Sequence, residues 1–141
     1  MSREAKKAPA IFLDRDGTLI RDVGHLYRQD QVELLPRVAE AIRLLRGQGF
    51  LLVVVTNQSA VARGRLTEEE LGRIHDALNA RLAQDGAHLD GIYYCPHHPT
   101  EGIGAYHADC DCRKPNTGMI VKAVADLGLA PSRSYVVGDQ T

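Results

Sequence analysis

No stretch of this sequence approaches the run of roughly 20 apolar residues that a membrane-spanning helix requires, which argues against a helical membrane protein. Charge of one sign is also lacking. Lysine and arginine total 17 against 18 aspartates and glutamates, a net of −1, so the bulk charge offers no strong attraction to nucleic acid or another polyanion. Cysteine numbers three, and an odd count does not suit a closed disulfide framework. The opening residues "MSREAKKAPA" are basic but carry no apolar signal core and no cleavage site. Residues 1–8 are therefore expected to be a polar, disordered lead-in to a cytoplasmic protein. Internal repeats and low-complexity tracts are absent. What remains is ordinary for a soluble globular chain, 44% hydrophobic and 25% charged over 141 residues, and is expected to form one domain spanning residues 1–141.

Apolar patterning then gives an order of elements. "APAIFLD" (8–14) is a short apolar run ending in acid. "PRVAEAIRLLRGQG" (36–49) places Val38, Ala41, Ile42 and Leu45 on one helical face, with Pro36 at the entrance and glycine at the exit. "FLLVVVT" (50–56) has the continuous apolar character of a strand buried on both faces. "TEEELGRIHDALNARLAQDG" (67–86) opens with Thr67 and Glu70 in capping-box spacing. "GIYYC" (91–95) reads as a strand, "GMIVKAVADLGL" (118–129) as a helix stopping near Gly128, and "SYVVGD" (134–139) as a last strand. The alternation β-α-β-α-β-α-β predicts an α/β fold with a doubly wound, Rossmann-like parallel sheet. In such a sheet, sites lie outside the carboxyl ends of the strands, where Asp14, Thr56 and Asp139 should converge.

"FLDRDGTLI" (12–20) raises the chemical question. Asp14 and Asp16 stand two apart, so in an extended chain their like charges face the same way. The plain reading is a turn, for which aspartate and glycine are suited. A calcium loop fails on register, because such a loop needs glycine sixth and an acid twelfth, whereas counting from Asp14 gives Gly17 fourth and His25 twelfth. Phosphoryl transfer uses the pair fully. One carboxylate attacks phosphorus, the other moves the leaving-group and water protons, and a hard cation such as Mg²⁺ makes the crowded charge tolerable. Gly17 would let the chain leave sharply, with backbone N–H groups facing a phosphate.

"DRDGTLI", "VVVTNQS", "CRKP" and "VVGD" occur in order and resemble the four motifs of the haloacid dehalogenase-like phosphohydrolases. The resemblance implies Asp14 as nucleophile and Asp16 as general acid/base. It implies Thr56 as a hydrogen-bond donor to the phosphoryl group and Lys114 as the neutralising cation. It also implies Mg²⁺ on Asp14, the backbone carbonyl of Asp16, and Asp139.

The cysteines fall in "CPHHPTEGIGAYHADCDC". Cys95-x-His97 and Cys110-x-Cys112 offer three thiolates and an imidazole, the donor set of a closed structural Zn²⁺ site. His98 and His107 are rival ligands, and free reduced cysteines are the alternative. Such a site has no open position for water. Its expected task is to fold a loop without a core of its own and to fix Arg113 and Lys114, which follow Cys112.

The loop resembles the zinc-bearing branch of the family, which contains heptose bisphosphate phosphatases and histidinol-phosphate phosphatases; "TNQSAVARGRLTEEE" is closer to the former. That resemblance implies removal of the C7 phosphate of D-glycero-D-manno-heptose 1,7-bisphosphate, with histidinol phosphate as the alternative substrate. A non-catalytic phosphosugar-binding module is the alternative outside enzymes. It implies substrate contacts at Asp14, Arg15 and Asp16, at Asp22, Val23, Gly24 and His25, at Thr56, Asn57, Gln58 and Ser59, and at Arg113 and Lys114. Arg63 is a candidate for the second phosphate, since arginine binds phosphate bidentately. No large cap domain is expected. Two positions depart from the family pattern: Ala60 stands where glycine is usual, which would strain the loop if φ were positive there, and Gln140 stands where lysine is common. The chain ends two residues past Asp139, earlier than the resemblance implies. "SYVVGD" is accordingly expected at an open sheet edge, with a monomer expected if the chain is complete and self-association through that edge otherwise.

Overall fold

The structure is a computed structural model that describes residues 7–23, 26, 28–100, 102–108, 110, 112–114 and 116–138. The expectations for residues 1–6, Gly24, His25, Asp139 and Gln140 lie outside the described residues. Four strands form one parallel sheet: β1 (Ala10–Leu13), β2 (Leu51–Asn57), β3 (Gly91–Cys95) and β4 (Tyr135–Val137), in the spatial order β3-β2-β1-β4. Ile11 pairs in register with Leu52 on one side and Tyr135 on the other, and Val53 with Gly91. Parallel neighbours require crossovers, and helices supply them: α1 (Val38–Gly47), the single-turn α2 (Ser59–Ala62), α3 (Glu68–Gln84) and α4 (Gly118–Leu127).

The period of two along the strands divides the core. Ile11, Leu13, Leu52 and Val54 join Ala39 and Ile42 of α1 and Leu71, Ile74, Leu78 and Leu82 of α3. Ala10, Phe12, Val53 and Val55 face the other way and pack with Met119 and Ala123 of α4. Helices therefore cover both faces of the sheet, the doubly wound arrangement, and among the described residues the connections hold no large cap. Leu71, Leu78 and Leu82 have no exposed surface; truncating one to alanine would cost about 2–5 kcal/mol through lost burial and the cavity left behind.

Helix ends follow local chemistry. Thr67 Oγ1 accepts from Glu70 N at 3.0 Å, and Glu70 Oε1 accepts from Thr67 N at 3.0 Å, so the capping box of α3 is made in both directions. Gly128, at φ 64°, ends α4 in the left-handed conformation glycine tolerates. Pro36 lies in the turn before α1 rather than inside it, and Arg37 takes φ 67° at the helix entrance. Lys7 and Ala8 correct the expected lead-in: Ala8 N donates to Gly128 O at 3.2 Å, Ala130 N donates to Ala8 O at 2.8 Å, and Arg133 donates to the Lys7 carbonyl. β4 is the terminal strand of the sheet, with Tyr135, Val136 and Val137 exposed.

Candidate active site

The carboxyl ends of the strands gather the polar groups, as a parallel sheet requires. Asp14 follows β1 directly, and its N–H donates to Val137 O of β4 at 3.1 Å. Thr56 is the penultimate residue of β2 and is buried. Lys114, in the loop after β3, reaches back to this rim: its Nζ donates to Asp14 Oδ1 at 2.6 Å and to Val55 O at 3.1 Å. One hundred residues separate Lys114 from Asp14, so the ion pair is a product of the fold. Its groups are partly exposed, 32% and 23%, as residues that meet a solvent-borne anion must be.

The turn after β1 carries Asp16. Gly17 adopts φ 79°, and the Arg15 carbonyl accepts from the N–H groups of Thr18, Leu19 and Ile20. No backbone N–H among the described residues donates to the Asp16 carbonyl, which leaves that oxygen available to a cation. The Asp16 carboxylate turns to its neighbour. Arg15 Nε donates to Oδ1 at 3.1 Å and Nη2 to Oδ2 at 3.0 Å, a two-pronged contact.

Arg15 itself is 2% exposed, and its remaining donors point inward. Nη2 also donates to Gln58 Oε1 at 3.2 Å, and Nη1 lies 3.2 Å from His75 Nε2. The Gln58 amide completes the ring by donating to Thr56 Oγ1 at 2.9 Å and to Asp16 Oδ2 at 3.4 Å. Arg15 and Gln58, expected to touch substrate, thus have their side chains buried and engaged with Asp16 and Thr56. His75 was not anticipated. The only sequence signal was a polar residue beside Ile74 on the buried face of α3, where histidine is commonly a mere core residue. Burial, with the Arg15 charge second, lowers the His75 pKa to about 3, so its ring is neutral and accepts from arginine.

Asn57 is tied to the loop that carries Lys114. Its Oδ1 accepts from Lys114 N at 2.9 Å and its Nδ2 donates to Lys114 O at 3.4 Å. Arg113 Nη1 donates to His97 O at 3.4 Å. Ser59 begins α2, and Arg63, half-buried, follows its end and donates its N–H to Ser59 O at 3.0 Å. Ala60 lies within α2, and Arg37 is the non-glycine residue at positive φ among those described. The expected backbone strain at Ala60 is therefore absent, because a helical residue has negative φ. Asp22 and Val23 are exposed beside the turn.

The thiol loop forms a second cluster. The donor atoms of Cys95, His97, Cys110 and Cys112 all lie within 4.8 Å of one another, and His98 and His107 are not among them. Cys95 and Cys112 are placed as a disulfide pair, contrary to the expectation of four separate ligands. Yet Cys110 Sγ lies 3.2 Å from each of those sulfurs, and His97 Nδ1 lies 3.8 Å from Cys95 Sγ and 3.4 Å from Cys112 Sγ. A disulfide uses two of these atoms and gives no reason for the third sulfur and the imidazole to converge. A tetrahedral metal uses all four, and the donor set fits one. Beside it, Tyr94 and Tyr106 each donate to Glu68 at 2.7 Å. The Tyr94 bond first, then that of Tyr106, holds the Glu68 carboxyl below its ordinary value. Tyr94 is pushed up to about 12, by burial first and then by the carboxylate.

Comparison with known proteins agrees with this geometry. Residues 21–141 match the family of haloacid dehalogenase-like hydrolases. The D-glycero-beta-D-manno-heptose-1,7-bisphosphate 7-phosphatase of Pasteurella multocida is 49% identical over 131 residues, 93% of this chain and 71% of that protein. The enzyme of the same name from Escherichia coli is 46% identical over 136 residues, 96% of this chain and 71% of its own length. Among solved structures, the D,D-heptose 1,7-bisphosphate phosphatase of B. bronchiseptica, complexed with magnesium and phosphate, is 36% identical with a TM-score of 0.72 over 86% of this chain. A candidate haloacid dehalogenase-like phosphatase of Mesorhizobium loti is also 36% identical, with a TM-score of 0.90 over 95% of this chain. The chain spans 64% of each of those two solved chains.

Proposed function

The chain belongs to the haloacid dehalogenase-like hydrolase family, and we propose that it is a phosphoric monoester hydrolase that removes the C7 phosphate of D-glycero-D-manno-heptose 1,7-bisphosphate. The observation that carries the chemistry is the meeting of Asp14, Lys114 and Thr56 at one strand-end rim. The heptose substrate rests on the relatives at 49% and 46% identity, whose names specify it.

In this reading the Asp14 carboxylate attacks phosphorus, the ester oxygen leaves with the proton of Asp16, and an aspartyl phosphate remains on Asp14. Asp16 then takes a proton from water as the water attacks phosphorus, which returns both carboxyl groups to their starting states. Lys114 stands beside Asp14, where negative charge gathers on the transferring group, and Thr56 donates its hydroxyl proton to a phosphoryl oxygen. Mg²⁺, held by the Asp14 carboxylate and the Asp16 carbonyl, with Asp139 as the implied third ligand, would supply charge neutralisation and alignment. Zn²⁺ would bind the reduced Cys95 and Cys112 with His97 and Cys110, and would fix the loop rather than catalyse. Asp22, Val23, Gly24, His25, Ser59, Arg63 and Arg113 remain the proposed contacts to the sugar and its second phosphate. The reading places the enzyme in the cytoplasm; no helix among the described residues is long and apolar enough to cross a membrane.

The test is phosphate release from the heptose bisphosphate and from histidinol phosphate, with and without Mg²⁺, for the parent chain and Asp14→Asn. The heptose ester should be preferred, and the variant should be inert because an amide cannot be the nucleophile. Release that persists at the parent rate in Asp14→Asn would refute the assignment.

A further inference from the structure

The buried ring of contacts behind Asp16 contains one member that the reaction does not use and that the family motifs do not include. His75 sits on α3, 60 residues from Arg15, and is 6% exposed. Its Nε2 lies 3.2 Å from Arg15 Nη1. An arginine can only donate, so Nε2 accepts and the ring proton resides on Nδ1. The ring is buried on α3, with the Tyr94 ring of β3 6.1 Å away and tilted by 51°.

The guanidinium has a fixed planar fork. Once Nη1 is tied to His75 and Nη2 to Gln58, the edge carrying Nε and Nη2 can face only one way. That edge holds both oxygens of Asp16 at 3.1 and 3.0 Å. The orientation of the Asp16 carboxylate is thereby referred, through one rigid side chain, to the middle of the longest helix. An isolated Arg–Asp pair of adjacent residues would have no such reference. Positioning to fractions of an ångström decides how well an acid serves its leaving group.

We propose that His75 is a positioning residue for the acid/base Asp16, acting through Arg15. The inference rests on the reading of Asp16 as acid/base, and the experiment separates the two. The rate of Asp14 phosphorylation is measured in single turnovers with two substrates. The leaving group of p-nitrophenyl phosphate departs without a proton, whereas the alkyl heptose bisphosphate needs one. Four proteins are compared: the parent, His75→Gln, His75→Asn and His75→Leu. Glutamine places its oxygen four bonds from Cα, as Nε2 is, and can still accept from Arg15. Asparagine is polar but stops one bond short.

In His75→Leu and His75→Asn the alkyl substrate should slow by roughly tenfold, a part of the roughly 10²–10⁴-fold that a positioned acid contributes, while the aryl substrate changes less than about twofold. His75→Gln should recover most of the loss. Should His75→Leu fail to fold, the Gln–Asn comparison carries the test. Equal slowing on both substrates, or Asn behaving as Gln does, would show a merely structural histidine and overturn the proposal. Asp16→Asn, run alongside, should show the same substrate selectivity more strongly; its absence there would overturn the acid/base reading of Asp16 instead.

Discussion

Acid should destabilise this fold through His75, and His75→Gln should remove that part of the loss. Burial, with Arg15 adding repulsion, lowers the His75 pKa from 6.5 to about 3. Between those values the unfolded chain binds a proton that the folded chain refuses. Stability from this residue is therefore complete above about pH 6.5 and drains as pH falls toward 3, with a slope approaching 1.4 kcal/mol per pH unit. At about pH 5 the deficit is roughly 2 kcal/mol, a large share of a typical margin of about 5–15 kcal/mol. Glutamine has no such proton. Urea unfolding of the parent and of His75→Gln, each at about pH 7.5 and 5, isolates the effect, because the other titrating groups and the thiol cluster are common to both proteins. The parent should lose about 2 kcal/mol more than the variant between the two conditions. Parallel losses would refute the reasoning and mean that His75 is solvated or protonated in the native state.

Two further predictions separate chemistry from scaffold. Lys114→Met should lower kcat/KM by roughly 10²-fold, as loss of one charge-stabilising donor does, while unfolding stability changes by less than about 1 kcal/mol because the Lys114–Asp14 pair is partly exposed; activity within a few-fold of the parent would remove Lys114 from the site. Cys110→Ser should lower zinc content from about one ion per chain and cut the melting temperature by at least about 5 °C; elemental analysis finding no zinc in carefully prepared parent protein of full stability would dismiss the metal.

The sequence exposed most of the fold because its signals were of kinds that survive tertiary context. Leu51–Asn57 is apolar enough to require burial on two faces, and Thr67 with Glu70 makes the capping box its spacing predicts. Asp14, Asp16, Thr56 and Lys114 were picked out by motifs that resemble those of the family in order, and the fold brings Lys114 to within 2.6 Å of Asp14. What was not legible was direction. Nothing in "DRDG" says that the arginine turns inward, and nothing in "TNQS" says that Asn57 grips the backbone of Lys114 while Gln58 bridges Thr56 and Asp16. Side chains of one short motif face a ligand or their own scaffold according to which neighbours the fold brings up. Here that neighbour was His75, 60 residues from Arg15. The four-residue α2 was missed for a related reason, since a single turn has too few residues to show a period.

The proposal of a structural metal is supported by where Lys114 sits. It must be delivered to Asp14 by a loop in which none of the described residues from His97 to Thr117 is buried. Hydrophobic packing of this segment is limited to partly buried Tyr106, Cys110 and Cys112 against the core, yet Nζ approaches Asp14 at 2.6 Å. The loop is instead held by polar ties at separate points. The cluster of Cys95, His97, Cys110 and Cys112 anchors the chain two residues before Lys114, and Cys95 belongs to β3 itself. Asn57 holds the Lys114 backbone from β2, Arg113 holds the His97 carbonyl, and Tyr106 meets Glu68 of α3. Gln58 N donates to Cys95 O at 2.8 Å, which joins the end of β2 to the foot of the loop. Each tie alone is worth about 1 kcal/mol, too little to order some twenty residues against their conformational entropy. A four-ligand metal supplies an order of magnitude more. On the proposed reading the thiol cluster and Lys114 are parts of one device, in which a bound metal would set the loop and the amide of Asn57 sets the last residue.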